Sequence, residues 1–256
     1  MIFPVQVTEN IPMGLVSMRN YVKVFLPMRA GSERVPKKNI RNFANVEGGL
    51  CKIKLEQLIT CDAVDEIFVS TDDAKVFEIC RSMNSRKIKL RERPKELALS
   101  GTSTDELIKY VTEIIPDGHI LWTHVTSPFI NSRLYAEIIE EYFKKLPKFD
   151  SLMTVTKIQK FIWNESEPLN YNRATEKWPR TQTIKPIWEV NSGAFIASRD
   201  IYEMYEDRIG SKPYLLEMDE NDAFDIDWMS DFEIAEAFYS NSRGDSISDS
   251  IPRILN

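Results

Sequence analysis

Residues 22–39 read V-K-V-F-L-P-M-R-A-G-S-E-R-V-P-K-K-N, an apolar run that passes straight into a loop of small and basic residues. The run predicts a first strand over 22–26. The loop has the two features an anion needs. Ala30, Gly31 and Ser32 are small enough to leave backbone N–H groups accessible, and Arg29, Arg34, Lys37 and Lys38 supply fixed positive charge. The spacing is neither G-x-x-x-x-G-K-[ST] nor G-x-G-x-x-G. By composition alone, a solvated basic loop accounts for the stretch equally well.

Outward from this strand, strand-like runs alternate with helical patterns. Strands are expected over 66–70, 87–90, 119–125, 151–155 and 191–198. Helices are expected over 50–61, 74–83, 103–115, from Asn131 or Ser132 onward, and over 199–205 and 229–238. Thr71, Asp72 and Asp73 read as the cap and first turn of the second helix, and Ser103 to Glu106 has the S-x-x-E capping-box pattern. Such alternation predicts an α/β fold: three layers, a mostly parallel sheet with helices on both faces. Residues 1–20 read as an N-terminal extension and 21–256 as one domain. Within that domain, about 157–187 form a polar, aromatic, proline-bearing insertion around Trp163, Tyr171 and Trp178.

The chain has 256 residues, 43% hydrophobic, and a formal net charge of −6. That is enough apolar material for one sizeable core. The negative balance argues against a general nucleic-acid binder, which must neutralise many phosphates. Cys51, Cys61 and Cys80 lack metal-type spacing and read as buried reduced thiols, an expectation that suits a cytoplasmic protein. No run approaches the ~18 apolar residues of a membrane span.

Asp225 and Asp227 form an alternating D-x-D flanked by Phe224, Ile226 and Trp228. On an extended segment both carboxylates point the same way, an oxygen-rich place for Mg²⁺. A solvated pair at a strand end is the competing reading.

The order R-x-G-S-x-R-x-P-x-K-N after the first strand resembles the signature of the CMP-sialic acid (acylneuraminate) synthetase family. Further pieces follow in family order: D-E-I-F-V-S-T-D-D from Asp65, R-P-K-E-L-A from Arg93, T-S-P from Thr126 and F-D-I-D from Phe224. The resemblance covers roughly residues 22 to 238. It implies the nucleotide-diphospho-sugar transferase (GT-A-like) fold and a cytidylyltransferase that couples CTP to a sialic acid-like 2-keto sugar acid. Arg29 and Lys38 would hold the triphosphate, with Ala30, Gly31, Ser32 and Asn39 completing the cradle. Arg34 and Lys37 read as exposed charges at the rim. Arg93 and the stretch 99–104, with Ser103 and Thr104, would contact the nucleotide, although capping competes for Ser103. Asp225 and Asp227 match the family's metal-binding carboxylates, and Arg29, Lys38, Asp225 and Asp227 would be the catalytic set.

Two departures bear on the acceptor. The family commonly has L-Q-P-T-S-P, with the glutamine near the sugar, whereas W-T-H-V-T-S-P places His124 there. Relatives often carry an arginine near the later N-G-A turn, where this chain has Glu189-Val190-Asn191-Ser192-Gly193. Arg180, in W-P-R-T-Q, matches a family arginine implicated in the acidic-sugar pocket. His124 would bind an altered sugar or assist as a base; a satisfied histidine at a strand end is the alternative. The resemblance also implies a homodimer through the insertion, while the negative charge and the lack of a long apolar run predict no nucleic-acid and no membrane partner. Open alternatives are a nucleotidyltransferase for a Kdo-like acid or a phosphorylated sugar, and a catalytically silent nucleotide-binding relative.

Overall fold

The computed structural model describes residues 20–244; all but the last residue of the expected extension lies outside them. Seven strands form one sheet: β1 Val22–Met28, β2 Glu66–Thr71, β3 Ile88–Glu92, β4 His119–Trp122, β5 Ser151–Ile158, β6 Ile187–Ser198 and β7 Pro213–Met218. Six α-helices accompany them: α1 Gly49–Ile59, α2 Ala74–Ser82, α3 Thr104–Ile114, α4 Ser132–Lys145, α5 Arg199–Tyr205 and α6 Met229–Gly244. The sheet order is β3-β2-β1-β4-β6-β5-β7. β1 is parallel to both β2 and β4, β2 to β3, and β5 to β7; only β6 runs antiparallel to its neighbours. The predicted three-layer α/β architecture is observed.

The two faces of the sheet bury separate clusters. Leu50, Ile53 and Leu58 of α1, Val76 of α2, Tyr135 and Ile138 of α4 and Phe232 of α6 pack on one face with Val24, Leu26 and Ile196. Ile108 and Val111 of α3 and Tyr202 of α5 cover the other face against Phe25, Trp122 and Phe195. The three cysteines are buried and free, as expected. The capping box of α3 forms in full, with the Ser103 hydroxyl and Glu106 carboxylate each bonded to the other's backbone N–H. Asn131 caps α4.

Several elements differ from expectation: β4 ends at Trp122 rather than at 125, and α6 runs on to Gly244 rather than 238. β7 was not anticipated. β6 starts four residues early, because Ile187–Val190 pair with Val155–Ile158 in an arm whose base, Val155–Thr156, also pairs with β7. The insertion emerges from this arm.

The sequential order 3-2-1 turns at β1, and β4 lies on β1's other side. Loops leaving the carboxyl ends of β1 and β4 therefore diverge and open a crevice, the usual ligand site of a doubly wound sheet. Among the described residues, no helix is long and apolar enough to cross a membrane.

Candidate active site

The basic loop leaves β1 at this crevice. Its shape rests on one apolar anchor and two polar ties. Val35 is fully buried in the core. The Asn39 side-chain amide donates to the Arg29 carbonyl at 3.0 Å, and the Ala30 N–H donates to Asp72 Oδ1 at 2.7 Å. Gly31 adopts φ +73°, a left-handed conformation that favours glycine. Two expectations change here. The Ala30 amide is held by Asp72 rather than free for a phosphate. Asp73, not Asp72, caps α2, accepting from the Lys75 N–H at 2.8 Å. Asn39 caps no helix; it ties the loop to itself and faces the cleft.

The cleft above the loop has a volume of about 370 Å³ and is lined by Arg29, Ser32, Arg34, Lys38, Asn39, Ser100, His124 and Thr126, among others. Ala30, Gly31, Arg93, Ser103 and Thr104 are not on its lining. Arg93 is buried, donating from Nε to Ser70 Oγ at 3.1 Å and from Nη2 to the Ser70 carbonyl at 2.9 Å. It braces the ends of β2 and β3. Ser103 is committed to its capping box, leaving Ser100 as the member of that stretch at the cleft.

Asp225 and Asp227 are held by the residue between them. Ile226 is fully buried; its N–H donates to the Thr126 carbonyl at 2.9 Å, and its carbonyl accepts from Lys38 Nζ at 2.7 Å. With Ile226 pinned inward, the alternating carboxylates are turned away from the core. Asp231, in the first turn of α6, accepts from the N–H groups of Asp227 and Trp228 at 3.0 and 2.7 Å. The segment lines a second cavity of about 760 Å³, together with Thr156, Lys160, Glu189, Ser192, Glu220 and Phe224. Lys38 and Arg34 line the first cavity and touch residues 226 and 227, so side chains of the first cavity contact the segment that lines the second.

Arg34 is more than the rim charge expected from sequence. Its Nη2 lies 2.9 Å from Asp227 Oδ1, and its guanidinium stacks 5.2 Å from the centroid of the Trp228 ring. Lys37 is exposed, as expected.

The charges at this junction are unevenly compensated. Burial pushes the Asp225 carboxyl above its ordinary range, Asp227 adding to the effect while a bond from Thr126 and the charge of Lys38 oppose it. Asp225 Oδ1 is buried without a hydrogen-bond partner. Burial likewise lowers the pKa of Lys38, against the pull of Asp227 and Asp225. An orphaned carboxylate oxygen beside a second carboxylate suits a hard divalent cation that takes its other ligands from phosphate and water. The residues present therefore fit Mg²⁺.

His124 lines the cleft from the end of β4. Its Nε2 accepts from the Trp122 indole N–H at 3.0 Å, which places the ring proton on Nδ1. Burial, reinforced by the charges of Arg208, Lys38, Arg93 and Lys54, pushes its pKa down to about 3. The lone pair a base would use is already engaged, so the structure disfavours the base role and leaves His124 as a neutral N–H donor. Its imidazole should not titrate between about pH 5 and 8, although an unperturbed histidine would. Two-dimensional NMR of the ring nitrogens checks this; a midpoint inside that window would contradict the assignment.

Arg180 is not on the lining of the second cavity. It lies exposed on the insertion, whose aromatic residues pack on one another. Arg173 sits between the rings of Trp163 and Trp178 at 5.2 and 5.3 Å, and Trp178 remains 64% exposed.

The family model described as cytidylyltransferase matches residues 24–246. The chain is 25% identical over 226 residues to a pseudaminic acid cytidylyltransferase of Campylobacter jejuni subsp. jejuni serotype O:23/36 (strain 81-176), covering 84% of this chain and 94% of that one. It is also 25% identical over 226 residues to an N-acylneuraminate cytidylyltransferase of Escherichia coli O18:K1:H7 (strain RS218 / NMEC), covering 85% of this chain and 52% of the other. Among solved structures, a CMP:2-keto-3-deoxy-manno-octonic acid synthetase complexed with CTP superposes with a TM-score of 0.61 at 16% identity, over 87% of this chain and 99% of that one. A 4-diphosphocytidyl-2C-methyl-D-erythritol synthase from Anaerococcus prevotii DSM 20548 gives 0.59 at 16%, over 86% and 96%. Those two likenesses establish the fold alone.

Proposed function

The chain belongs to the cytidylyltransferase family, and on that premise we propose that it couples CTP to an acidic 2-keto sugar of the sialic acid or Kdo type, with a nonulosonate as the acceptor. The observation that carries this reading is the junction at Ile226, where a lysine from the basic loop and two aspartates from the end of the chain meet between two cavities. The nucleotide would occupy the smaller cavity and the acceptor the larger.

In the reaction, the anomeric hydroxyl of the acceptor attacks the α-phosphorus of CTP, a new P–O bond forms, the bond to the β-phosphate oxygen breaks, pyrophosphate leaves, and the hydroxyl proton passes to solvent. Arg29, Arg34 and Lys38 would hold the polyphosphate and offset the charge that builds on the departing group. Asp225 and Asp227 would hold Mg²⁺, which when bound polarises the α-phosphate or supports the leaving pyrophosphate. Catalysis then consists of positioning and charge stabilisation, with no protein nucleophile. His124 lines the smaller cavity, so it would offer its Nδ1–H to the part of the acceptor that reaches across the junction toward the nucleotide; a histidine in place of the family glutamine supports an acceptor other than N-acetylneuraminic acid itself.

The exposed aromatic residues of the insertion support a homodimer, since such residues are characteristic of interfaces. Arg180 would then act in a pocket completed across the two subunits. Sedimentation should give a dimer at micromolar concentration, and a monomer would remove Arg180 from the site.

Purified protein offered four nucleoside triphosphates and several 2-keto sugar acids, with pyrophosphate as readout, tests the proposal. Release with CTP and a nonulosonate is expected. Release only with a Kdo-like acid or a phosphorylated sugar would reassign the acceptor, and none with any pair would favour a silent relative.

A further inference from the structure

α1 carries a lysine inside the core. Lys54 is 0% exposed and, among the described residues, has no carboxylate partner. Its ammonium is instead surrounded by oxygens: the Ser127 carbonyl at 2.8 Å, the Ile130 carbonyl at 3.3 Å and the Tyr135 hydroxyl at 2.7 Å. Gln57, one turn further along α1, donates to the Pro128 carbonyl at 2.6 Å. Two side chains of one helix thus grip three carbonyls of the turn that follows β4.

The chain of bonds continues. The Tyr135 hydroxyl lies 2.7 Å from Thr123 Oγ1, and Thr123 Oγ1 donates to the Gly193 carbonyl at 2.7 Å. Proton accounting fixes every direction in it. The single Thr123 proton goes to Gly193, so Tyr135 must donate to Thr123, and Lys54 must donate to Tyr135. With the two carbonyls, that uses three N–H donors, which only the ammonium form possesses. A neutral amine would leave one of these contacts without a proton, so the bonds favour the charge that burial opposes.

Both ends of the network reach the candidate site. The gripped turn includes the residues just after Thr126, whose carbonyl receives the Ile226 N–H between the two aspartates. At the other end, Gly193 belongs to an irregular stretch of β6 in which Ser192 adopts φ +56° and lines the larger cavity. A Cβ at Gly193 would meet Ile130 Cδ1 at 2.6 Å and Thr154 Oγ1 at 3.0 Å, so this stretch and the gripped turn are in close contact.

We propose that Lys54 is a positioning residue for the transfer site: from inside the core it sets the Thr126–Ile130 turn and, through Tyr135 and Thr123, the Gly193 stretch, and thereby fixes where Asp225 and Asp227 stand relative to the two cavities. The kinetic consequence rests on the cytidylyl-transfer reading, whereas the structural one stands without it.

Hydrogen exchange separates the two. In Lys54→Met, which keeps the unbranched four-atom stem of the side chain and removes its donors, amides in 191–196 and 223–231 should exchange faster by about tenfold or more. Leu58→Ala opens the core on the same helix without touching the network, and those two segments should stay within about threefold of the parent. If the parent transfers cytidylyl groups, Lys54→Met should lower kcat by about 10- to 100-fold with the KM for nucleotide little changed, the mark of misplaced rather than missing binding groups. Unchanged exchange at both segments, or the same exchange change in Leu58→Ala, would overturn the proposal, as would a parent-like kcat in the folded variant. Should Lys54→Met fail to fold, Tyr135→Phe decides: it cuts the relay while leaving Lys54 its two carbonyls, so 191–196 should exchange faster, and no change there would overturn it equally. A parent without transfer activity would refute the functional reading while leaving the exchange result to judge Lys54.

Discussion

Replacing Asp227 with asparagine should lower turnover by on the order of 10²–10³ while the protein stays folded. Asparagine keeps the shape of the side chain and removes its charge. Half of the Asp227 side chain is already in solvent, and its contact is the ion pair with Arg34, a kind of exposed pair that contributes at most about 1 kcal/mol. The backbone tie that holds the segment, from the Asp227 N–H to Asp231, is untouched. Stability should therefore hardly move, and the loss should lie in the chemistry. Asp225, with a buried oxygen that lacks a partner, cannot substitute alone for a two-carboxylate site. Steady-state kinetics with varied Mg²⁺, beside a thermal melt, checks this. A fully active Asp227→Asn protein, or undiminished activity of the parent in EDTA, would contradict the assignment.

Lys38→Ala should lower kcat/KM for the nucleotide by on the order of 10². Two losses coincide. A cation that interacts with both aspartates disappears, and the Ile226 carbonyl it held at 2.7 Å is left unpaired, a cost of about 1–3 kcal/mol for a buried acceptor. Lys38→Arg should not restore the rate, because a planar fork cannot replace a compact ammonium that both donates to a carbonyl and faces the cleft. Arg29→Ala and Arg34→Ala should each weaken nucleotide binding as well. Sequence alone suggested that Arg34 would be dispensable, but its contact with Asp227 argues otherwise. Nucleotide titration of these variants decides it; equal and small effects at all of them would reduce the loop to a diffuse basic patch.

The legible parts of this protein were local ones. The alternation of apolar runs and helical patterns specified the α/β layers, since periodicity reports which face of an element is buried. The capping box at Ser103 and the cap at Asn131 were visible because a cap is decided within four residues. β7 escaped, although Tyr214, Leu216 and Met218 alternate with the exposed Leu215 and Glu217, because six residues at a sheet edge give a weak signal. The early start of β6 escaped for another reason: the arm's outer residues, Trp188 and Val190, remain exposed and lack the apolar-in, polar-out pattern of a half-buried strand.

The candidate site divides in the same way. D-x-D and the basic loop could be identified from residue type and family order, but their meeting could not. Lys38 reaches Ile226, Arg34 reaches Asp227, and Asp72 secures Ala30 across long stretches of chain. Each contact depends on how β1, β2 and the segment before α6 converge at the crevice. The demotion of Arg93 and Ser103 from the cleft lining has the same origin. Ser70 and Glu106 supply those side chains with nearer partners, a competition that motif matching does not weigh. Asp231 had a readable signal, an acidic residue in the first turn of α6 able to reach back to free N–H groups. The Lys54 network had none, because a lysine in a helix reads as surface until the fold encloses it.

The most direct test of the central claim follows one oxygen. The acceptor sugar acid is labelled with ¹⁸O at its anomeric hydroxyl, incubated with CTP and the purified protein, and the products are read by phosphorus NMR. Attack by that hydroxyl on the α-phosphorus predicts an isotope-shifted resonance for the CMP-linked sugar, with the label in the bridge between carbon and phosphorus and none in pyrophosphate. Label appearing in pyrophosphate, an unlabelled bridge formed from sugar that still carries its label, or CMP released without any sugar attached would contradict it.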